Sequence, residues 1–297
     1  MKTRAPLLCI GSAMWDIIAH SSRDLRPGFD VPGRIERRMG GVALNIALEF
    51  ARQGQAVEIM SYIGNDPTGD ALVAEIANAG VGTAFLTRGD APTDTYLAVE
   101  DPDGEVFAAI ADCAALERTG EGVFAPLRNG LFSSIPDTYS GHIIADGNLP
   151  EATLRALLST PETASATMVF VPASPGKASR LAPVIEAHGG RLYVNRTEAE
   201  IILAQGFSSA IDAAEALTEA GADTAIVTDG PRTAAVSTNG QPTISQTPPP
   251  TEAHTTTGAG DIFLAAHLSA ELNGASPNAA LAAAIVASCN HISSLKD

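Results

Sequence analysis

The chain has 297 residues and a formal net charge of −16, set by 18 lysines and arginines against 34 aspartates and glutamates. Hydrophobic residues make up 45% of it, enough for a large core, which excludes a disordered chain. The acidic balance argues against nucleic-acid or anionic-membrane binding, and no run reaches the roughly 20 apolar residues of a membrane span.

Leu7 to Ile10 is a short apolar run ending at Gly11, the pattern of a buried strand. Too little apolar sequence precedes it for a secretion signal, so a cytoplasmic location is expected. Residues 12–39 carry an alternating pattern. Gly40-Gly41 then opens a helix from Val42 to Arg52, stopped at Gly54. A second strand is predicted from Val57 to Ile63, and a helix from Thr68 to Ala79 with Gly80 past its end. Residues 93–112 read as a β-hairpin: two alternating stretches joined at Asp101-Pro102-Asp103-Gly104. Strands follow at 142–145, 167–171, 191–194 and 224–228, with helices at about 151–158, 178–188, 197–204 and 209–220. Short apolar strands alternating with helices imply a mainly parallel sheet covered on both faces. The early alternating stretches, 12–39 and 93–112, are the insertion expected to form a small β-strand lid on an otherwise single domain. Cys9, Cys113 and Cys289 are far apart and odd in number, which fits a reduced protein without disulfides or a zinc site.

The segment Thr255-Thr256-Thr257-Gly258-Ala259-Gly260-Asp261 carries the most chemistry. A glycine-rich turn entering a helix gathers backbone N–H groups where the helix dipole is positive, which suits a phosphoryl group in transfer. Asp261, in the first turn, can accept a proton from a hydroxyl attacking that group. Alone, such a turn is as compatible with an ordinary helix cap. A dinucleotide-binding fingerprint is not met, because the third glycine is missing and the segment falls late in the chain.

In company with other segments, the turn resembles the ribokinase-like, or PfkB-type, carbohydrate kinases over nearly the whole chain. Gly11 to Asp16, Gly40-Gly41-Val42-Ala43-Leu44-Asn45, Ile63 to Gly69, Asn195-Arg196-Thr197-Glu198, Thr228-Asp229-Gly230 and Thr256 to Asp261 are similar to that family's motifs, in its order. Val31 to Ile35, the lid hairpin, Ala145 to Leu149 and Pro172-Ala173-Ser174 with Lys177 resemble a branch that phosphorylates a C-linked nucleoside. The resemblance implies a three-layer α/β/α fold. It implies Asp16, Gly40, Gly41 and Asn45 as acceptor-binding residues, with Asp112 of the hairpin added as a reader of the base. It makes Asp261 the base, with the backbone of Gly258, Ala259 and Gly260 as the anion hole. ATP would be held by Asn195, Thr228, Gly230, Thr256 and Thr257, and Mg²⁺ by Glu198 through water. The acceptor would be a small nucleoside or a free sugar, and the lid strands would pair two copies in a homodimer. Thr255 stands where many relatives carry an acid tied to a monovalent cation such as K⁺; Thr233 and Val171 depart from the motifs' glycine and aspartate. A non-catalytic sugar- or nucleotide-binding module is the competing reading. The intact Asp261, Gly258, Gly260 and Glu198 speak for catalysis.

Overall fold

A computed structural model describes residues 6–128, 139–254 and 256–294. The first strand, β1 (Leu7–Ile10), is buried at all four positions. Leu7 and Cys9 enter one hydrophobic cluster and Leu8 and Ile10 the other, because successive side chains leave a strand on opposite faces. The same division continues along the chain and makes the predicted three layers.

Next come β2 (Met14–Ser21) and β3 (Gly33–Gly40), then α1 (Val42–Arg52) and β4 (Val57–Met60). The single strand expected over 57–63 is two: the chain breaks at Ser61 and continues as β5 (Tyr62–Gly64). That segment pairs with β6 (Thr87–Gly89), beyond α2 (Pro67–Asn78). The hairpin forms as β7 (Thr95–Glu100) and β8 (Val106–Asp112), followed by α3 (Ala114–Thr119) and α4 (Ala125–Arg128). The α/β rhythm then runs through β9 (His142–Asp146), α5 (Glu151–Leu158), β10 (Thr167–Val171), α6 (Ala182–Glu186), β11 (Arg191–Asn195), α7 (Arg196–Leu203), α8 (Ala210–Ala220) and β12 (Thr224–Thr228). The helix expected over 178–188 is split between a 3₁₀ stretch, Pro175–Leu181, and the short α6, with Pro183, which has no amide to donate, in the first turn of α6. Two strands that the reading of the sequence missed, β13 (Ala234–Thr238) and β14 (Ile244–Gln246), precede α9 (Ala259–Leu272) and α10 (Pro277–Ser293).

The large sheet has the order β14-β13-β12-β11-β10-β9-β1-β4. It is parallel from β12 to β4, and β13 and β14 add an antiparallel edge. The small sheet, β3-β2-β7-β8, is built from the two stretches expected to form the lid. It leaves the main sheet at the C-terminal end of β1, where an open α/β sheet places its ligands. No helix among the described residues is long and apolar enough to cross a membrane.

Asp66 fastens the lid to the core. It caps α2 by accepting from the Gly69 amide at 2.7 Å, and it also accepts from the Thr93 amide at 2.7 Å, just ahead of β7. Burial alone would raise its pKa, but hydrogen bonds from Thr68, Gly69 and Thr93 hold it well below the usual carboxylate range. Asp66→Ala is expected to cost about 2 kcal/mol and to lower Tm by about 4 °C at pH 7. A carboxyl group depressed on folding stabilises above its unfolded pKa and loses that contribution as pH falls. The difference between the two proteins should therefore shrink below pH ~4 in thermal melts followed by circular dichroism.

Candidate active site

Asp146 is fully buried at the end of β9. One of its oxygens accepts from the Ser12 amide at 2.9 Å, the Ser12 hydroxyl at 2.6 Å and the Ala43 amide at 2.9 Å. The other accepts from the Asn148 amide at 2.8 Å. The Ser12 hydroxyl in turn accepts from the Val42 amide and the Asn148 side chain. The end of β1, the start of α1 and the end of β9 are thus tied to one carboxylate. Gly11 makes room for it: a Cβ there would lie 2.4 Å from the Asp146 carboxyl carbon.

This knot sets the turn before α1. Gly41 has φ +98° and approaches the Ser12 carbonyl so closely that a Cβ would lie 2.6 Å away. A Cβ on Gly40 would strike the Asp16 carboxylate. Gly40 thus lets backbone pass close to the Asp16 carboxylate, and Gly41 lets it pass close to the Ser12 carbonyl. One turn along α1, Asn45 donates its side-chain amide to Asp261 at 3.0 Å. Asn45 and Asp261, 216 positions apart in sequence, are in direct contact.

Two cavities flank the turn that carries Asp261. One, of about 380 Å³, is lined by Asp16, Arg38, Asn45, Thr257, Gly258 and Asp261, with Glu49, Arg52 and His291 at its rim. The other, of about 510 Å³, is lined by Asn195, Thr228, Gly230, Thr256, Ala259 and Gly260, and by apolar residues that include Pro231, Pro248 and Ile285. The turn is their shared wall. Thr257 faces the acceptor side, so its expected place with the nucleotide residues is corrected: Thr256 and Thr257 fall on opposite sides of the wall.

The anion hole is also adjusted. Gly258 caps α9 with φ +81°, and the Ile262 amide closes the first helical turn onto the Gly258 carbonyl. The Ala259 amide is engaged by the Thr256 carbonyl at 3.3 Å. The first-turn amides without an intrahelical acceptor are then those of Gly260 and Asp261. Open space lies over Gly260, where a Cβ would meet nothing within 4 Å. From behind, α10 fixes the turn: Ser288 donates to the Ala259 carbonyl at 2.7 Å and His291 Nε2 to the Thr257 carbonyl at 2.8 Å.

The electrostatics suit a proton acceptor. Loss of solvent pushes the Asp261 carboxyl up to about 7; the Asn45 hydrogen bond opposes this, and the charges of Asp146, Asp16 and Glu198 add to it. Asp16 is also raised by burial, against the pull of Arg38. Glu198 is buried and pushed up to about 7, with the Asn195 amide as its one opposing contact. It forms a capping box with Asn195 at the start of α7, which aims Asn195 at the nucleotide cavity.

A nucleotide fits the larger cavity, which joins hydroxyl, amide and backbone groups to an apolar wall. The described residues hold no cluster of three or more metal-ligating side chains. Mg²⁺ keeps most of its waters and binds through one or two carboxylates plus phosphates, so Glu198, a buried carboxylate without a cationic partner, fits a water-mediated contact. Asp112 is not brought in. It is exposed at the end of β8, opposite Thr95, and lines neither cavity. Thr255 lies outside the described residues. Reading the sequence missed Ser12 as a hydrogen-bonding hub, Arg38, and all of the α10 contribution. Pro248 and Pro249 also wall the nucleotide cavity. Cys289 is half-exposed and lines that cavity too.

The fold and the paired cavities define a carbohydrate-kinase class of α/β protein. The sequence pattern described as pfkB family carbohydrate kinase matches residues 4–294, and the chain belongs to that family. It is 29% identical over 219 residues to the pseudouridine kinase of Escherichia coli, covering 72% of this chain and 66% of that one. It is 32% identical over 183 residues to the uncharacterized sugar kinase YeiI of the same organism, covering 61% of this chain and 48% of YeiI. The match thus spans between about half and two thirds of these two relatives. Mouse ribokinase is 27% identical over 269 residues, covering 88% of this chain and 80% of that one. Among solved structures, a carbohydrate kinase from Agrobacterium tumefaciens superposes with a TM-score of 0.79 at 26% identity, covering 95% of this chain and 89% of that one. Arabidopsis thaliana ribokinase complexed with ribose and ATP gives 0.77 at 18% identity, over 99% and 94% of the two chains, and supports the ribokinase-like fold.

A carboxyl group whose pKa rises on folding stabilises below its unfolded value and costs stability once pH exceeds the folded one. Asp261→Asn should therefore raise Tm by several degrees at pH 8 and by about 1 °C or less at pH 4, in melts by differential scanning calorimetry.

Proposed function

We propose that this chain is an ATP-dependent kinase that phosphorylates the 5′-hydroxyl of pseudouridine. The observation that carries the kinase reading is the shared wall. Gly258 and Asp261 face one cavity while Ala259 and Gly260 face the other, so an acceptor and a phosphate chain would meet at one helix N-terminus. Asp16 accepts from sugar hydroxyls, and the Asn45 amide holds the Asp261 carboxylate toward the acceptor. Asp261 takes the proton of the attacking hydroxyl as its oxygen bonds to the γ-phosphorus. The bond between that phosphorus and the β,γ-bridging oxygen breaks, and ADP leaves. The amides of Gly260 and Asp261 stabilise the transferring group. Glu198 would hold Mg²⁺ through water, and the ion would supply charge neutralisation on the phosphates.

The choice of pseudouridine rests on the similarity to the Escherichia coli pseudouridine kinase and on the segment Ala145 to Asn148. There Asn148 bonds Ser12 and accepts from Lys177 Nζ at 2.8 Å, which ties Lys177 to the knot under the acceptor site. ADP release from MgATP should be fastest with pseudouridine, against uridine, adenosine and ribose, and should fall about 10³-fold or more in Asp261→Asn. Preferred turnover of ribose or adenosine would keep the kinase and discard the pseudouridine choice. With the natural enzyme, kcat/KM should drop tenfold per pH unit below pH ~7, where Asp261 takes up a proton.

The lid also supports the homodimer. β8 is exposed along its whole length as an edge strand, with Val106, Phe107 and Ile110 all more than half exposed. An apolar, unpaired edge of this kind is covered in stable proteins. Sedimentation should give a dimer that Ile110→Lys converts to monomer; a natural chain that sediments as a monomer overturns this pairing.

A further inference from the structure

Three arginines lie on β3, and two are accounted for. Arg34 pairs with Glu36, and the Arg37 guanidinium stacks 4.1 Å from the Trp15 ring centroid. Arg38 is different. Among the described residues no hydrogen bond, ion pair or ring contact engages it, although it lines the acceptor cavity. The cavity's other arginine, Arg52, is committed to Glu49 by hydrogen bonds of 2.8 and 2.7 Å.

The position of Arg38 is set by the lid. It stands directly opposite Asp16 in the antiparallel pair of β3 with β2, and Tyr96 stands opposite Asp16 on β7. Opposed residues project from one face with Cβ atoms about 5 Å apart. Arg38, Asp16 and Tyr96 therefore form a row across the lid, continued on β8 by the small Ala111. The row offers a planar donor, a hydroxyl-binding carboxylate and an aromatic ring. We propose that Arg38 is the specificity-determining residue of this cavity: its guanidinium donates to a ring carbonyl of a nucleoside base whose ribose hydroxyls are held by Asp16, with Tyr96 flanking that base. This rests on the nucleoside reading above and adds the residue that enforces it.

Charge decides between a carbonyl and an anionic substituent. A phosphate or carboxylate on Arg38 would also sit near Asp16, at a repulsion of about 3 kcal/mol for unit charges 5 Å apart in a surface-like dielectric. A neutral carbonyl gains the same hydrogen bond without that repulsion. A uracil-type ring presents two carbonyls, and a ribose ring presents none.

The test compares the natural enzyme with Arg38→Gln and Arg38→Lys, using pseudouridine and ribose as alternative acceptors under steady-state conditions. The ratio of kcat/KM for pseudouridine to that for ribose should fall tenfold or more in Arg38→Gln, as expected for loss of a charged donor. The loss should lie in KM, and Arg38→Lys should keep part of the preference. An equal loss on both acceptors overturns the assignment, because Arg38 would then act only through Asp16. A natural enzyme that prefers pseudouridine, together with an unchanged ratio in Arg38→Gln, overturns the assignment and leaves the nucleoside reading standing. A natural enzyme that phosphorylates ribose and ignores pseudouridine overturns the nucleoside reading itself, and this inference with it. Arg38 is exposed, so the melting temperature of both variants should match the natural protein; the Lys variant keeps the comparison open should the Gln variant fold poorly.

Discussion

One buried carboxylate organises this protein. Among the described residues no cation pairs with Asp146, which is satisfied by three backbone amides and one hydroxyl drawn from two distant stretches of chain and its own loop. Placing a charge in an interior costs several kcal/mol unless it is fully hydrogen-bonded. The same bonds that meet this demand fix where β1 ends, where α1 begins and how β9 turns. The direction of α1 then places Asn45 against Asp261. The local geometry of the phosphoryl-accepting side is thus a consequence of satisfying an acid that does not itself face the cavity.

The site is acidic on an acidic protein, which is unusual for a place meant to receive phosphates. The charges of Asp146, Asp16 and Glu198 lie close enough to Asp261 to add to its proton affinity. What offsets them is local: the first-turn amides of α9, the positive end of its dipole, and a cation brought with the nucleotide. Loss of solvent, with those neighbouring charges added, is what keeps Asp261 basic enough to accept a proton near neutral pH. Stability at this point is given up for reactivity, as is common where catalytic groups are gathered.

Much of this was legible in the sequence, for identifiable reasons. Short apolar strands and glycine-opened helices have periodicities that survive without knowledge of tertiary contacts, and the family motifs marked Asp16, Asn45, Glu198 and Asp261. What failed was of two kinds. Where prolines or a sheet switch break a regular element, as at Pro183 and Ser61, the apolar pattern runs on while the backbone does not. Where a role depends on a partner far away in sequence, the residue itself carries no sign of it: Ser12, Pro248 and the α10 residues look ordinary until the fold sets them beside the site. Asp112 shows the converse, an acid in a suggestive hairpin that ends exposed on the lid's edge strand and lines neither cavity.

The helix α10 has a face on each side of the central turn. His291 and Ser294 border the acceptor cavity, while Ile285, Ser288, Cys289 and Ile292 border the nucleotide cavity. Most other walls serve only one substrate, since the lid and α1 belong to the acceptor and the β12–β13 loop to the nucleotide. A rigid helix cannot adjust one of its faces without carrying the other. Whatever free energy one substrate spends in settling α10 is spared to, or taken from, the second, and linkage requires the effect to be equal in both directions. Affinity for the donor and affinity for the acceptor are therefore not independent properties of this protein, and sequence changes on α10 would move them together.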